Sequence, residues 1–102
     1  MLKAPRTAVG VMADGAIVLA VVDGNEALKE GLDLYEFAEI LIQKGVHHAI
    51  NLDGGGSTDA VLNYEVWSKP NCNDKPGEIC ERPVTTITCI RGDSVQDSLF
   101  LD

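Results

Sequence analysis

The residues best suited to chemistry form one short run, Asn51-Leu52-Asp53-Gly54-Gly55-Gly56-Ser57, which follows a strand-like apolar segment. Consecutive glycines have a high conformational entropy in the unfolded chain, so they are retained where the backbone takes positive φ angles or another group approaches closely. The run delivers the Asp53 carboxylate, a fan of bare backbone N–H groups and the Ser57 hydroxyl to one place. Such groups suit a sugar hydroxyl, a phosphate or a metal. A structural glycine bulge is an equally good interpretation of these residues alone.

Nucleotide binding and serine hydrolysis are not predicted for this run. A nucleotide site needs a glycine turn that opens a helix, whereas β-prone residues follow this turn and no G-x-G-x-x-G motif or Walker lysine is present. A nucleophile elbow needs glycine two residues after the serine, but Asp59 occupies that position. No second cysteine pair or histidine lies at metal-ligand spacing, so we predict neither a metal nor a cofactor.

Two arginines, Arg6 and Arg82, are the other candidate site residues. Each adjoins a proline and precedes a β-prone run. A guanidinium at a strand entrance can bind phosphate or carboxylate, and a solvated surface arginine is the alternative. We predict that the strands of Arg6, Asp53 and Arg82 are neighbours, with the strand before Asp53 in the centre and antiparallel to the other two. The three charged groups would then converge to within about 10 Å.

The composition is that of a small acidic globular domain. The chain has 102 residues, 45% of them hydrophobic, and a net charge of -8. This length fits one domain or part of one. The negative charge and the lack of a basic block argue against nucleic acid and anionic membranes as partners. The longest apolar stretch, residues 16–22, is too short to span a membrane, and the N-terminus has no signal-peptide pattern.

The predicted elements are a hairpin, one helix and further strands. Residues 7–13 and 16–22 are β-prone, and Asp14-Gly15 between them indicates a type I′ turn. Asp33 and Glu36 form a capping box before apolar residues at helical spacing, which predicts a helix over about 34–44 that stops at Gly45. Further strands are predicted over 47–52, 58–62 and 84–91, with 63–83 mostly loop. The class is α+β, a mixed, largely antiparallel sheet with the one main helix packed on a face.

The three cysteines suggest one disulfide. Cys72 and Cys80 flank a segment with turn-forming residues, which suits a short disulfide-closed loop, and two reduced surface thiols are the alternative. Cys89 lies in the last predicted strand, either as a buried free thiol or as the partner of a cysteine outside this chain. We expect a Cys72–Cys80 disulfide and an unpaired Cys89. A disulfide would place the parent protein in a lumenal or extracellular compartment.

The chain resembles the phosphodiester glycosidase domain family, because several of its motifs occur there in the same order. The cysteines add to the likeness, since the animal member has a short cysteine-flanked loop before the last strand and another cysteine within that strand. The resemblance assigns residues 1–91 to the C-terminal part of the family's catalytic domain, and it leaves 92–102 as a polar tail. The motifs are Pro5-Arg6-Thr7-Ala8-Val9-Gly10, Gly31 before the capped helix, Ala49-Ile50 leading into the glycine run, and Arg82-Pro83-Val84.

The resemblance implies a reaction. The family cleaves the glycosidic bond of a sugar-1-phosphodiester and leaves a phosphomonoester. In the animal member the sugar is N-acetylglucosamine, and the product is mannose 6-phosphate on lysosomal enzyme glycans in the Golgi lumen. By motif position, Asp53 would be catalytic, and the substrate-binding residues would be Arg6, Gly54, Gly55, Gly56, Ser57 and Arg82.

The resemblance also sets what remains open. It covers only part of the family's catalytic domain, so we expect an incomplete fragment whose activity by itself is open. The implied partner is a glycan-linked sugar phosphodiester, with no membrane contact by this segment and an undetermined oligomeric state. The competing hypothesis is a non-catalytic carbohydrate-binding or interaction domain that keeps the glycine-rich nest.

Overall fold

A three-stranded antiparallel sheet carries the fold in the computed structural model, which describes residues 2–72 and 78–90. Its strands are β1 (Arg6–Met12), β2 (Ile17–Val22) and β3 (Val46–Asn51), in the order β2-β1-β3. The central strand is therefore β1, and the prediction that the strand before Asp53 is central is wrong. The reason is that β1 pairs with its hairpin partner along one edge and with β3 along the other.

Helix α1 (Leu34–Gln43) connects β2 to β3 and packs on one face of the sheet. A small hairpin of β4 (Val61–Leu62) and β5 (Glu65–Val66) follows the glycine run. An antiparallel sheet with one helix on a face confirms the predicted α+β class. No helix within residues 2–72 and 78–90 is long and apolar enough to cross a membrane.

The β1–β2 hairpin forms as predicted, but its turn differs from type I′. Of the turn residues, Gly15 alone has a positive φ, at 92°. Its N–H donates to the Met12 carbonyl at 3.0 Å, and the Asp14 carboxylate accepts from the Ala16 N–H at 3.0 Å. This is a three-residue loop with glycine in the left-handed position, which also matches the twist of the strands.

The predicted capping box of α1 is confirmed. The Asp33 carboxylate accepts from the Glu36 N–H at 2.8 Å, and the Glu36 carboxylate accepts from the Asp33 N–H at 3.1 Å. The hydrogen bond from the Glu36 backbone holds the pKa of Asp33 below its usual range. The helix ends at the predicted place, with Lys44 as C-cap and Gly45 at φ 86°.

The core lies between α1 and the β1–β2 side of the sheet. Phe37 and Leu41 are buried against Ala8 and Ala20, which face each other across the two strands. The small alanine side chains leave space on the sheet for the Phe37 ring. Other apolar helix residues are exposed, including Ile42 at 72%. The buried core is small. Its strand residues come from β1 and β2, whereas no residue of β3 is fully buried.

After the glycine run, one strand prediction is confirmed only in part and another is wrong. Within 58–62 only Val61–Leu62 is a strand, and residues 84–90 are exposed and form none. The β propensity of Val, Ile and Thr favours a strand only when a neighbouring strand supplies hydrogen bonds and contacts. Arg91, the tail 92–102 and residues 73–77 of the predicted loop lie outside the described residues.

The cysteine prediction is confirmed. Cys72 and Cys80 form a disulfide with their Cα atoms 5.6 Å apart. Cys89 is free and exposed, so the alternative of a buried thiol is wrong. The disulfide places Glu81 and Arg82, which follow Cys80 directly, near the buried residues Pro70 and Asn71 that precede Cys72.

Candidate active site at the glycine turn

The glycine run leaves β3 and folds back against the start of β1. The Leu52 N–H donates to the Thr7 carbonyl at 2.8 Å, and the Gly55 N–H donates to the Pro5 carbonyl at 3.0 Å. Gly55–Ser57 then forms a single 3₁₀ turn. These bonds fix the run, hereafter the glycine turn (residues 53–57), at the end of the sheet where β1 begins and β3 ends.

The surroundings of Gly54 and Gly55 require glycine at both positions. A β-carbon at Gly54 would lie 2.6 Å from the Pro5 carbonyl oxygen, closer than real β-carbons come to other atoms. Gly55 has a φ of +56°, and a β-carbon there would collide with the Glu26 carboxylate. Because neither glycine has a side chain, the Pro5 backbone can approach Gly54 and the Glu26 carboxylate can approach Gly55.

Most N–H groups of the turn are used within the protein. The N–H groups of Gly54, Gly55, Ser57 and Thr58 all have acceptors in the chain. The expectation of a fan of bare N–H donors is therefore wrong, because the 3₁₀ turn and its contact with β1 engage them. An anion at this site would depend on side-chain donors instead.

Arg82 supplies such donors. Its Nε and Nη2 donate to the Ser57 hydroxyl at 3.1 and 2.6 Å, and its Nη1 lies 3.3 Å from the β-carbon position of Gly56. Because the Ser57 oxygen accepts both bonds, its own proton is free to be donated elsewhere. The exposed Arg82 and the partly buried Ser57 thus form one donor group at the end of the glycine turn.

Asp53 and Arg6 take different positions at the other end of the turn. The exposed Asp53 carboxylate accepts from the Gly54 N–H through Oδ1 at 3.0 Å. The Arg6 backbone adjoins Gly54, with its Cα 3.6 Å from the β-carbon position of that glycine. The Arg6 guanidinium, however, donates to the carbonyls of Leu32 at 3.0 Å and Leu2 at 2.7 Å. A substrate contact by Arg6 stays a prediction.

Sequence reasoning missed Glu26, which reaches the glycine turn from the loop after β2. The only local signal was the turn-forming Asp23-Gly24-Asn25 before it, and nothing in its spacing linked it to Gly55. The contact joins residues 29 positions apart, so it depends on how the loop folds over the sheet end. Within residues 2–72 and 78–90 no group of three His, Cys, Asp or Glu side chains could hold a metal.

Asn71 connects that loop to the glycine turn. Its amide nitrogen donates to the Gly24 carbonyl, and its own carbonyl lies 2.9 Å from the β-carbon position of Gly56. Asn71 Oδ1 and Thr58 Oγ1 are buried without a hydrogen-bond partner in the described part of the chain. Buried polar atoms are usually paired, so both retain unused hydrogen-bonding capacity beside the turn.

Negative and positive side chains lie at opposite ends of the glycine turn. Carboxylates of Asp53 and Glu26 border the first half of the turn, and the Arg82–Ser57 pair borders the second half. Such a site can bind an anionic group at one end and stabilise positive charge or hydroxyl groups at the other.

Comparisons with known proteins point to one family. The family model described as phosphodiester glycosidase matches residues 2–91. The N-acetylglucosamine-1-phosphodiester alpha-N-acetylglucosaminidases of Bos taurus and Homo sapiens are 45% and 42% identical to this chain over 87 residues. Those residues are 83% of this chain and 16% of each relative, so the chain spans about one sixth of the length of these curated relatives.

A solved structure extends the likeness to the fold. It is the zebrafish N-acetylglucosamine-1-phosphodiester alpha-N-acetylglucosaminidase catalytic domain, auto-inhibited by its pro-peptide. The match has a TM-score of 0.72 and 39% sequence identity, and it covers 81% of this chain and 27% of the zebrafish chain.

Proposed function

The chain belongs to the phosphodiester glycosidase family, and from that premise we propose that it carries part of an active site that hydrolyses the glycosidic bond of a sugar-1-phosphodiester. The observation that supports this most is the polarity of the glycine turn. A guanidinium and a hydroxyl lie at one end, and carboxylates lie at the other. A sugar-1-phosphodiester is anionic at its phosphate and develops positive charge at its anomeric carbon during hydrolysis.

The Arg82–Ser57 pair would bind the phosphate. The leaving group departs as a phosphate anion of low basicity, so it needs a cation more than it needs a proton. Two guanidinium N–H groups already point to the Ser57 oxygen, which leaves the remaining guanidinium donors and the Ser57 proton for the phosphate oxygens. Arg6 and Gly56 are proposed to line the same site, in keeping with their motif positions.

Asp53 would act at the sugar end. The Gly54 N–H holds one of its oxygens, which orients the carboxylate and leaves the other oxygen for the substrate. A fixed carboxylate beside the anomeric carbon stabilises an oxocarbenium-like transition state.

The substrate proposed is N-acetylglucosamine in phosphodiester linkage, as in the names of the mammalian relatives. Its removal from glycans of lysosomal enzymes would expose mannose 6-phosphate. The Cys72–Cys80 disulfide supports a lumenal or secreted parent protein, with the Golgi as the proposed compartment.

The decisive assay measures release of N-acetylglucosamine from an N-acetylglucosamine-1-phosphodiester. It is run on this chain and on an N-terminally extended version. Asp53→Asn is expected to lower kcat by about 100-fold, since it removes a charge that acts in the transition state. The matched control is Asp14→Asn, because Asp14 is also exposed and also accepts a backbone N–H, but lies in the hairpin turn.

Each outcome decides between the hypotheses. Near-normal turnover in Asp53→Asn would remove Asp53 from the mechanism. Binding of the diester by both versions without turnover would favour the non-catalytic carbohydrate-binding module instead.

A further inference from the structure

The carboxylate of Glu26 occupies a position beside the glycine turn that no structural role explains. It fills the space that any side chain at Gly55 would need. The side chain is partly buried, and it has no hydrogen-bond or ion-pair partner in the described part of the chain. Withdrawing a carboxylate from solvent without a partner costs free energy, and active sites are places where such groups are commonly found.

The loop that carries Glu26 is well ordered by its own hydrogen bonds. Asn25 and Glu30 exchange two backbone bonds of 3.0 and 2.9 Å, and the Lys29 N–H donates to the Glu26 carbonyl at 3.1 Å. The Asn25 side chain accepts from the Leu28 N–H at 3.2 Å and is buried. These bonds fix the backbone of Glu26, while its side chain keeps its own rotational freedom.

The base of the loop is also tied to the segment that flanks the glycine turn. The Lys69 N–H donates to the Asp23 carboxylate at 2.9 Å. Asn71 binds the Gly24 carbonyl with its side chain and approaches Gly56 with its backbone carbonyl. One short segment therefore contacts both the loop and the turn, which sets the position of Glu26 relative to Gly55.

We propose that Glu26 is the general base of this site, facing the anomeric carbon of the sugar; this inference rests on the hydrolysis proposed above. The substrate lies along the glycine turn, with its phosphate at the Arg82–Ser57 end and its sugar beside Asp53 and Glu26. The Asp53 carboxylate borders Gly54 and the Glu26 carboxylate borders Gly55, so the two flank consecutive residues. Paired carboxylates at the scissile bond are the usual requirement for glycoside hydrolysis.

In the step assigned to Glu26, the oxygen of a water molecule forms a bond to the anomeric carbon. The bond from that carbon to the phosphate oxygen breaks, and its electron pair leaves with the phosphate. The proton lost by the water passes to the Glu26 carboxylate. Asp53 stabilises the positive charge on the sugar, and Arg82 stabilises the negative charge on the phosphate.

The test compares Glu26→Gln with Glu30→Gln in the longest version of the protein that turns over the diester. Both glutamates lie on the same loop, but only Glu26 faces the turn, so Glu30→Gln controls for changes in loop charge. We expect Glu26→Gln to lower kcat by about 100-fold or more while KM stays within about threefold of the unchanged protein. Added formate should restore part of the turnover of Glu26→Ala.

The outcomes separate this inference from the proposed function. If the unchanged protein turns over the diester and Glu26→Gln stays within threefold of it, the role of Glu26 is overturned while the proposed function stands. If Glu26→Gln does not fold, the test passes to a folded Glu26→Ala variant with added formate. Recovery of turnover then supports Glu26 as the base, and no recovery contradicts that assignment. If neither this chain nor any extended version turns over the diester, the proposed function is overturned, and the role of Glu26 is overturned with it.

Discussion

Alanine variants of Gly54 and Gly55 in the glycine turn, and of Gly15 in the β1–β2 hairpin, give a quantitative test of the structure. Gly15, Gly54 and Gly55 differ in why they must be glycine. Gly15 has a φ of +92° with no atom within 4 Å of a β-carbon, so Gly15→Ala introduces backbone strain alone. Gly54 has an ordinary φ of -132°, but its β-carbon would lie 2.6 Å from the Pro5 carbonyl oxygen.

The expected free energies of unfolding follow from these surroundings. Gly15→Ala should destabilise the fold by about 1 kcal/mol, the usual cost of an L-residue at positive φ. Gly54→Ala should cost about 2–4 kcal/mol, because overpacking costs roughly 1–3 kcal/mol and the Gly55–Pro5 hydrogen bond adds about 1 kcal/mol. The Pro5 carbonyl belongs to the backbone next to β1, so it cannot rotate away as a side chain would.

Gly55→Ala should resemble Gly15→Ala in stability but not in activity. Its φ of +56° carries the same strain, and the group it would strike is the end of the flexible Glu26 side chain. Glu26 can rotate away at little cost to stability. If Glu26 is catalytic, that rotation removes it from the sugar, and turnover should fall to the level of Glu26→Gln.

Thermal and urea unfolding followed by circular dichroism measure all three variants. A loss of 1 kcal/mol corresponds to roughly 4–8 °C in Tm for a domain of this size. The order should be Gly54→Ala lowest, with Gly15→Ala and Gly55→Ala close together. A Gly54→Ala variant as stable as Gly15→Ala would refute the packing of the glycine turn against the start of β1.

Three further predictions concern other parts of the molecule. Replacing Cys72 and Cys80 by serine should lower the free energy of unfolding by about 2–3 kcal/mol. Thiol titration of the folded, unreduced protein should detect Cys89 alone, and two or three reactive thiols would contradict this pairing. The lowered pKa of Asp33 means that its carboxylate stabilises the fold at neutral pH, and that this stabilisation is lost as pH falls below the usual aspartate pKa and through the lowered one. Asp33→Asn should therefore show a shallower fall in Tm under acid than the unchanged chain, and equal slopes would count against the capping bond. Arg82→Lys should weaken phosphate binding by about tenfold, measured by calorimetry, since a single ammonium cannot reproduce the planar guanidinium. Its Tm should stay nearly unchanged because the side chain is exposed. An unaltered affinity would exclude Arg82 as the phosphate ligand.

The sequence alone determined the elements whose signals are local. The hairpin follows from a turn dipeptide between two β-prone runs, and α1 follows from its capping box and apolar spacing. The disulfide follows from two cysteines around a short turn-rich segment, and the family follows from motifs that keep their order along the chain. In each case the residues that interact are near neighbours, or the pattern itself is linear, so no knowledge of the packing is needed.

The tertiary structure decided what depends on contacts between distant residues. It made β1 the central strand, and it left residues 84–90 without a strand partner. It also directed the Arg6 guanidinium to backbone carbonyls and brought Glu26 to Gly55. Strand pairing and side-chain direction are set by which surfaces meet once the helix packs on the sheet, and that free energy is a property of the whole fold rather than of any segment.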